Sequence, residues 1–318
     1  MIIKPLKLYL DTNHLINISK MRNGEQLPDG QSAKAYKFID DCIKSWCGLI
    51  FNQFSPLEWF EGAATPQSAA KIAAVIDSAA LKYIIESDQL VHTREILDEC
   101  LRINPNLKIP NYSVLQSLHD KQNFRSALGI IVNEIPGYFT QKELEKIGNP
   151  ESFPIDIPVN TISASAEESL KWREKNPQKC QARIDGFNEA LLEDIAGKDE
   201  YFKDKNGYRL RWLKGYLKID RILGVNSGID IDDILKKINY DNCPAVTLSW
   251  TVREDRMKSG RHPEDNDVDD YIYLPAIPYA DIALIEKKMC NHIIQADKRL
   301  KNRVFYKADD VVKVLEAK

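Results

Sequence analysis

No charge of either sign is in excess in this chain of 318 residues: Lys and Arg total 44 against 47 Asp and Glu, a formal net charge of −3. With a pI near 6.0, no global basic field draws the chain onto nucleic acid, and any such contact must be local. The six cysteines (Cys42, Cys47, Cys100, Cys180, Cys243 and Cys290) form no CxxC pair, and the histidines show no companion zinc spacing. They are therefore expected to be reduced thiols, mostly filling core in a cytoplasmic protein. No apolar run approaches the roughly 18 residues of a membrane span, so no membrane partner is expected, and the first residues read as the approach to a strand rather than as a signal peptide. What is present is 43% apolar content, enough for one large domain or two ordinary ones with a sizeable core.

The first hundred residues alternate in type. "KLYLD" is a short apolar run suited to a strand buried on both faces, "AYKFIDDCIKSW" sets Phe38, Ile39, Cys42, Ile43 and Trp46 on one helical stripe, and "GLIFNQF" reads as a second strand. Strand, helix, strand at this spacing predicts a parallel βαβ unit and an α/β fold. "SPLEWFEG" reads as a helix start with Ser55 as N-cap, Pro56 at the first helical position and Glu58 at the third. "SAAKIAAVIDSAA" continues in helix and "TREILDECL" gives another.

From about residue 104 to 240 every periodic segment is helical, "YRLRWLKGYLKIDRILG" among them, with a proline-punctuated loop at "GNPESFPIDIPVN" and no strand signal. Alternation returns with "CPAVTLSWTVREDRM" as a helix, "PEDNDVDDYIYLPA" as a helix with an acidic opening turn and "ADIALIE" as a buried strand. "KKMCNHIIQADKRL" follows as a helix and "RVFY" as a short strand. The expected organisation is an α/β domain in two parts, residues 1–103 and 241–318, around a helical insertion or subdomain at 104–240.

Sites in open α/β sheets gather outside the carboxyl ends of the strands. Asp11 stands at such an end, Glu58 one helical turn past another, and Glu286 at the end of "ADIALIE". Asp267 and Asp270, three apart beside Asp269, can face one side of their helix. Four or five carboxylates could thus converge on one cleft, and like charges so close disfavour ionisation unless a cation relieves them. Mg²⁺ or Mn²⁺ would do so, because hard cations prefer oxygen ligands. Plainer explanations exist: Glu58 completes an S-x-x-E capping box, and the three aspartates complement the positive end of a helix dipole.

These residues resemble the PIN domain family of metal-dependent nucleases. "LYLDTNHLI" looks like the family's opening strand, so Asp11 matches its first acidic position, and "FSPLEWFEG" is similar to the segment carrying the second, matched by Glu58. In "NDVDDYIYLPAIPYADIALIEKK", Asp270 best matches the third position, with Asp267 its competitor one turn earlier. Glu286 matches the fourth, where the family usually has Asp or Asn. The resemblance covers residues 5–80 and 243–310 and departs from the family in the long separation between the second and third positions. It implies a three-layer α/β/α fold around a parallel sheet and divalent-metal-dependent cleavage of phosphodiesters, most often in RNA. Thr12 and Asn13 would shape the turn that holds Asp11 at the metal. Many relatives are toxin components or RNA-processing enzymes, which leaves an antitoxin or other protein partner, and a homo-oligomer, open.

An RNA substrate needs positive charge near the acidic cleft. "YRLRWLKGYLKIDR" interleaves Arg209, Arg211 and Lys214 with Trp212, a composition suited to phosphate contacts and base stacking. A solvated basic face over an aromatic core face would give the same pattern. The expectation is a metal-dependent endoribonuclease; the rival readings are a DNA or flap-type nuclease and a catalytically silent module that recruits a partner protein.

Overall fold

A computed structural model of the chain describes residues 5–52, 66–85, 88–109, 123–125, 156–158, 174–175, 177–226, 228–264, 271 and 273–317. Three short strands open the fold, β1 (Lys7–Leu10), β2 (Gly48–Asn52) and β3 (Leu81–Ile85). Two more lie in the middle of the chain, β4 (Asn123–Arg125) and β5 (Asp156–Pro158), and two near its end, β6 (Ile282–Leu284) and β7 (Val304–Phe305). The first three and last two form one all-parallel sheet in the order β3-β2-β1-β6-β7. β1 is its central strand, with Leu8 level with Leu49 on one side and Ile282 on the other.

Strand periodicity explains why β1 is apolar throughout. Leu8 and Leu10 belong to a core with α1 (Thr12–Arg22), α2 (Ala33–Ser45), α3 (Pro66–Asp77) and the C-terminal helix Ala308–Glu316, while Tyr9 points into a different core. Ile282 and Leu284 likewise face the first core and Ala283 the second. Both faces of the sheet are therefore covered by helices, as all-parallel sheets require. Each fully buried aliphatic side chain in these layers contributes about 1.5–3 kcal/mol relative to exposure.

α4 (Asp88–Ile103) follows β3; α5 (Pro177–Ala196), α6 (Lys198–Lys203), α7 (Lys205–Gly215), α8 (Ile219–Leu223) and α9 (Ile231–Lys236) lead to α10 (Pro244–Ser259). α10, a 3₁₀ segment at Leu274–Tyr279 and α11 (Lys287–Ala296) cover the second face of the sheet, and Ala308–Glu316 is α12. A third core joins Leu90, Ile96, Leu97 and Cys100 of α4 to Tyr201, Leu213, Ile222, Leu235 and Trp250. α4 and α10 thus serve both the sheet and the helical region. Among the described residues, no helix is long and apolar enough to cross a membrane.

Several expectations change. "LKYII", between two expected helices and without an assignment of its own, is a strand, β3, and β4 pairs with β5 antiparallel in a region expected to lack strands. Trp46 is not on the α2 stripe but forms its C-cap and is 37% exposed. The run from "YRLRWLKG" breaks after Gly215, and Lys218 takes φ 53° before α8. "LPA" is part of a 3₁₀ segment rather than an α-helix, because Pro275 and Pro278 cannot donate to an α-helical ladder. β6 stops at Leu284, so Glu286 begins the next helix rather than ending the strand. The helices expected at "SVLQSLHDKQNFRSALGIIVNEI", "TQKELEKI" and "SAEESLKWREK", and that at "SPLEWFEG", lie outside the described residues or almost wholly so.

Candidate functional site at the carboxyl ends of β1 and β6

The chain leaves β1 through α1, on one face of the sheet, and reaches β2; it leaves β6 through α11, on the opposite face, and reaches β7. β1 and β6 are neighbours whose connections part in opposite directions, and a crevice at such a reversal is where open α/β sheets bind ligands. Asp11 and Glu286 both lie there.

Asp11 is the N-cap of α1, with extended backbone at φ −63° and ψ 154°. Its own N–H donates to the Leu284 carbonyl at 2.9 Å, tying the start of α1 to β6. Its carboxylate is held from two sides: Oδ1 accepts from the Thr12 N–H at 2.7 Å and Oδ2 from the Glu286 N–H at 3.2 Å. Burial pushes the Asp11 carboxyl up to about 6, the two N–H groups oppose that rise, and the nearby Glu286 charge adds to it. Glu286 is exposed, is the N-cap of α11, and makes no capping hydrogen bond with its side chain. The positive ends of two helix dipoles therefore flank the pair.

Thr12 is buried, and its hydroxyl has no hydrogen-bond partner among the described residues. Asn13 is exposed and lines a cleft of about 710 Å³ that also takes in Glu286. His14, buried beside them, is held down to about 4 by its burial. Its Nδ1 lies 2.7 Å from the Tyr36 hydroxyl, to which Asn17 Nδ2 also donates at 3.0 Å. Lys20, Lys71, Lys287 and Lys307 line the same cleft. Lys71 is paired with Glu25 at 2.7 Å, whereas Lys20, Lys287 and Lys307 have no carboxylate partner among the described residues. Lys287 and Lys307 instead approach the Tyr306 ring, at 5.7 and 5.5 Å from its centroid. Sequence reading passed over these lysines, although Lys287 and Lys307 closely follow β6 and β7 and the strand-end rule would have found them.

The α7 residues proposed for substrate contact lie elsewhere. Arg209 pairs with Glu254 at 3.3 Å and stacks on Tyr240, Arg211 lies over the Tyr208 ring, and Lys214 bridges to Asp232 at 2.8 Å. Trp212 is packed among His92, Tyr216 and Trp250. None of the four lines the 710 Å³ cleft. Glu58, Asp267 and Asp270 lie outside the described residues. Among the described residues, no group of three or more His, Cys, Asp or Glu side chains could hold a metal ion. Asp11 and Glu286 are two carboxylates at one end of the sheet, and the Asp11 pKa is raised first by burial and to a lesser extent by the Glu286 charge.

Comparisons with protein-family models, with curated proteins and with solved structures found no match.

Proposed function

We propose that this chain is a divalent-metal-dependent endoribonuclease with a PIN-like three-layer fold. One observation carries the reading: Asp11, whose carboxylate accepts from the Glu286 N–H, and Glu286, which lines a lysine-bearing cleft, stand just past the carboxyl ends of adjacent strands at the reversal of the sheet. In this reading Asp11 and Glu286 hold Mg²⁺ or Mn²⁺ together with Glu58 and Asp270, and Asp267 assists. The ion, when bound, would lower the pKa of a water and offset charge on the scissile phosphate.

The chain's own groups perform the rest. The N–H groups of Thr12 and Glu286 fix the orientation of the Asp11 carboxylate, so that it need not reorganise during the reaction. Lys20, Lys287 and Lys307, which have no carboxylate partner among the described residues, supply the local positive charge that the balanced composition lacks and that a phosphate would meet. Asn13, at the cleft wall, offers an amide to the sugar-phosphate chain.

The test compares cleavage of end-labelled structured RNA and a matched single-stranded DNA by purified protein with Mn²⁺, Mg²⁺ or EDTA. Metal-dependent cutting of RNA is the expected result. Preference for DNA would replace it with the DNA or flap-type reading. Intact substrates, together with no Mn²⁺ binding in calorimetry, would leave the silent binding module.

A further inference from the structure

The cleft of about 710 Å³ has a neutral wall as well as its lysines, built by α1 and by the segment that leads into α2. Tyr36 of α2 is fully buried, and its hydroxyl gathers three side chains at this wall. It donates to Gln31 Oε1 at 2.8 Å, accepts from Asn17 Nδ2 at 3.0 Å and lies 2.7 Å from His14 Nδ1. Burial pushes the Tyr36 hydroxyl up to about 12, so it keeps the proton that it gives to Gln31. One buried hydroxyl thereby fixes both amides, with the Asn17 nitrogen and the Gln31 oxygen turned toward it.

That leaves Asn17 Oδ1 as an acceptor and Gln31 Nε2 as a donor. Both residues line the cleft, neither atom has a hydrogen-bond partner among the described residues, and neither is among the buried atoms cut off from solvent. Asn17 is only 6% exposed, so its open oxygen meets the cleft and little else. The pair narrows the occupant. A cation would use Asn17 but not Gln31, and a bare phosphate would use Gln31 but be repelled by the Asn17 oxygen. A nucleobase edge sets a donor beside an acceptor and serves both. Lys20, Lys287 and Lys307 line the same cleft without a carboxylate partner among the described residues, and suit the phosphates attached to such a base. We propose that Asn17 and Gln31 read the edge of a base in the RNA strand whose phosphates these lysines hold, which makes them specificity-determining residues of the cleft. The inference rests on the cleft being the path of the RNA, but base reading needs no metal.

Binding in EDTA tests it apart from cleavage. Equilibrium dialysis of the full chain against the 5′-monophosphates of adenosine, guanosine, cytidine and uridine, and against ribose 5-phosphate, should show at least one nucleotide bound roughly tenfold tighter than the sugar phosphate, the scale of one or two hydrogen bonds. Asn17→Leu and Gln31→Met should each erase that margin and leave ribose 5-phosphate binding in place; Gln31 is only half-buried, so its variant keeps the test open should Asn17→Leu fail to fold. Lys287→Ala combined with Lys307→Ala should weaken every ligand and keep the margin. A short oligoribonucleotide should displace the bound nucleotide. Ribose 5-phosphate binding as tightly as every nucleotide, a margin that survives Gln31→Met, or a nucleotide that the oligoribonucleotide fails to displace would overturn the proposal. Base-selective binding by a chain that cuts no RNA would uphold it and remove only the nuclease reading.

Discussion

Burial of two histidines makes this fold costlier to keep in acid. His14 and His92 are both held down to about 4 from an ordinary 6.5, because burial disfavours the imidazolium. In the unfolded chain both take a proton near pH 6.5, and in the folded protein they do so only near pH 4, so their contribution is fully present above pH 6.5 and is lost as pH falls toward 4. Each shift corresponds to about 3 kcal/mol. Asp11, held up to about 6, opposes that loss over the same range, so the test is the difference between chains: between pH 7 and pH 4.5 the stability lost on chemical denaturation should be smaller by about 2–3 kcal/mol in His92→Gln than in the native chain, and an equal loss would contradict the assignment. Neither role could be read from sequence, because a lone histidine looks the same buried or exposed. The place of Asp11 was legible, since an Asp-Thr-Asn turn directly after an apolar strand marks the strand's carboxyl end, where Asp11 caps α1. Its long-range contact, the Glu286 N–H, comes from a residue 275 positions away, and no local pattern announces it.

At the scale of elements, α10 depends on a cap supplied from α4. Glu95 is buried and its carboxylate accepts from the N–H groups of Ala245 and Val246, both at 3.0 Å, and from the Tyr279 hydroxyl. These are first-turn amides of α10 that its own ladder cannot satisfy. Glu95→Ala should therefore cost about 2–4 kcal/mol, as a cap and a buried hydrogen-bond network are lost together; denaturant unfolding measures it, and a cost below about 1 kcal/mol would deny the cap. The packing of β2 on β3 is tested at Gly48, where an added Cβ would fall 2.0 Å from the Tyr83 ring. Gly48→Ala should destabilise by about 1–3 kcal/mol through overpacking, read as a lower melting temperature. β3 itself escaped sequence reading because its five residues follow an Ala-rich helix with only Ser78, Ala79 and Ala80 between, so the helical period runs almost unbroken into it. β1, β6 and β7 were legible for the opposite reason: each is a compact apolar run bounded by polar or turn residues.

Across the described residues, the two ends of the chain make one sheet, and helices between residues 198 and 236 share a core with α4 and α10. The α/β class followed from alternation alone, but the reversal between β1 and β6 is a property of strand order and of which face each helix takes, neither of which is written locally. That reversal brings the Glu286 N–H to the Asp11 carboxylate, and Glu286 shares its cleft with three lysines that have no carboxylate partner among the described residues. If the cleft carries the substrate, replacing Lys20, Lys287 and Lys307 together with alanine should raise KM for RNA by tenfold or more with little change in kcat. The slope of log affinity against log salt should become shallower by roughly 2, at about 0.7 per phosphate contact on a single strand. Unchanged KM and salt slope would move the substrate path elsewhere on the surface.

In the proposed function Asp11 and Glu286 together hold the cation on which hydrolysis depends. Single-turnover cleavage of a labelled RNA across a Mn²⁺ titration, for the native chain, Asp11→Asn and Glu286→Gln, addresses it directly. The account predicts Mn²⁺-dependent cleavage in the native chain, its loss by about a hundredfold or more in Asp11→Asn, and a shift to higher Mn²⁺ in Glu286→Gln, in line with the several kcal/mol that a bound metal supplies. Cleavage by both variants at the native rate and the native Mn²⁺ midpoint would contradict it.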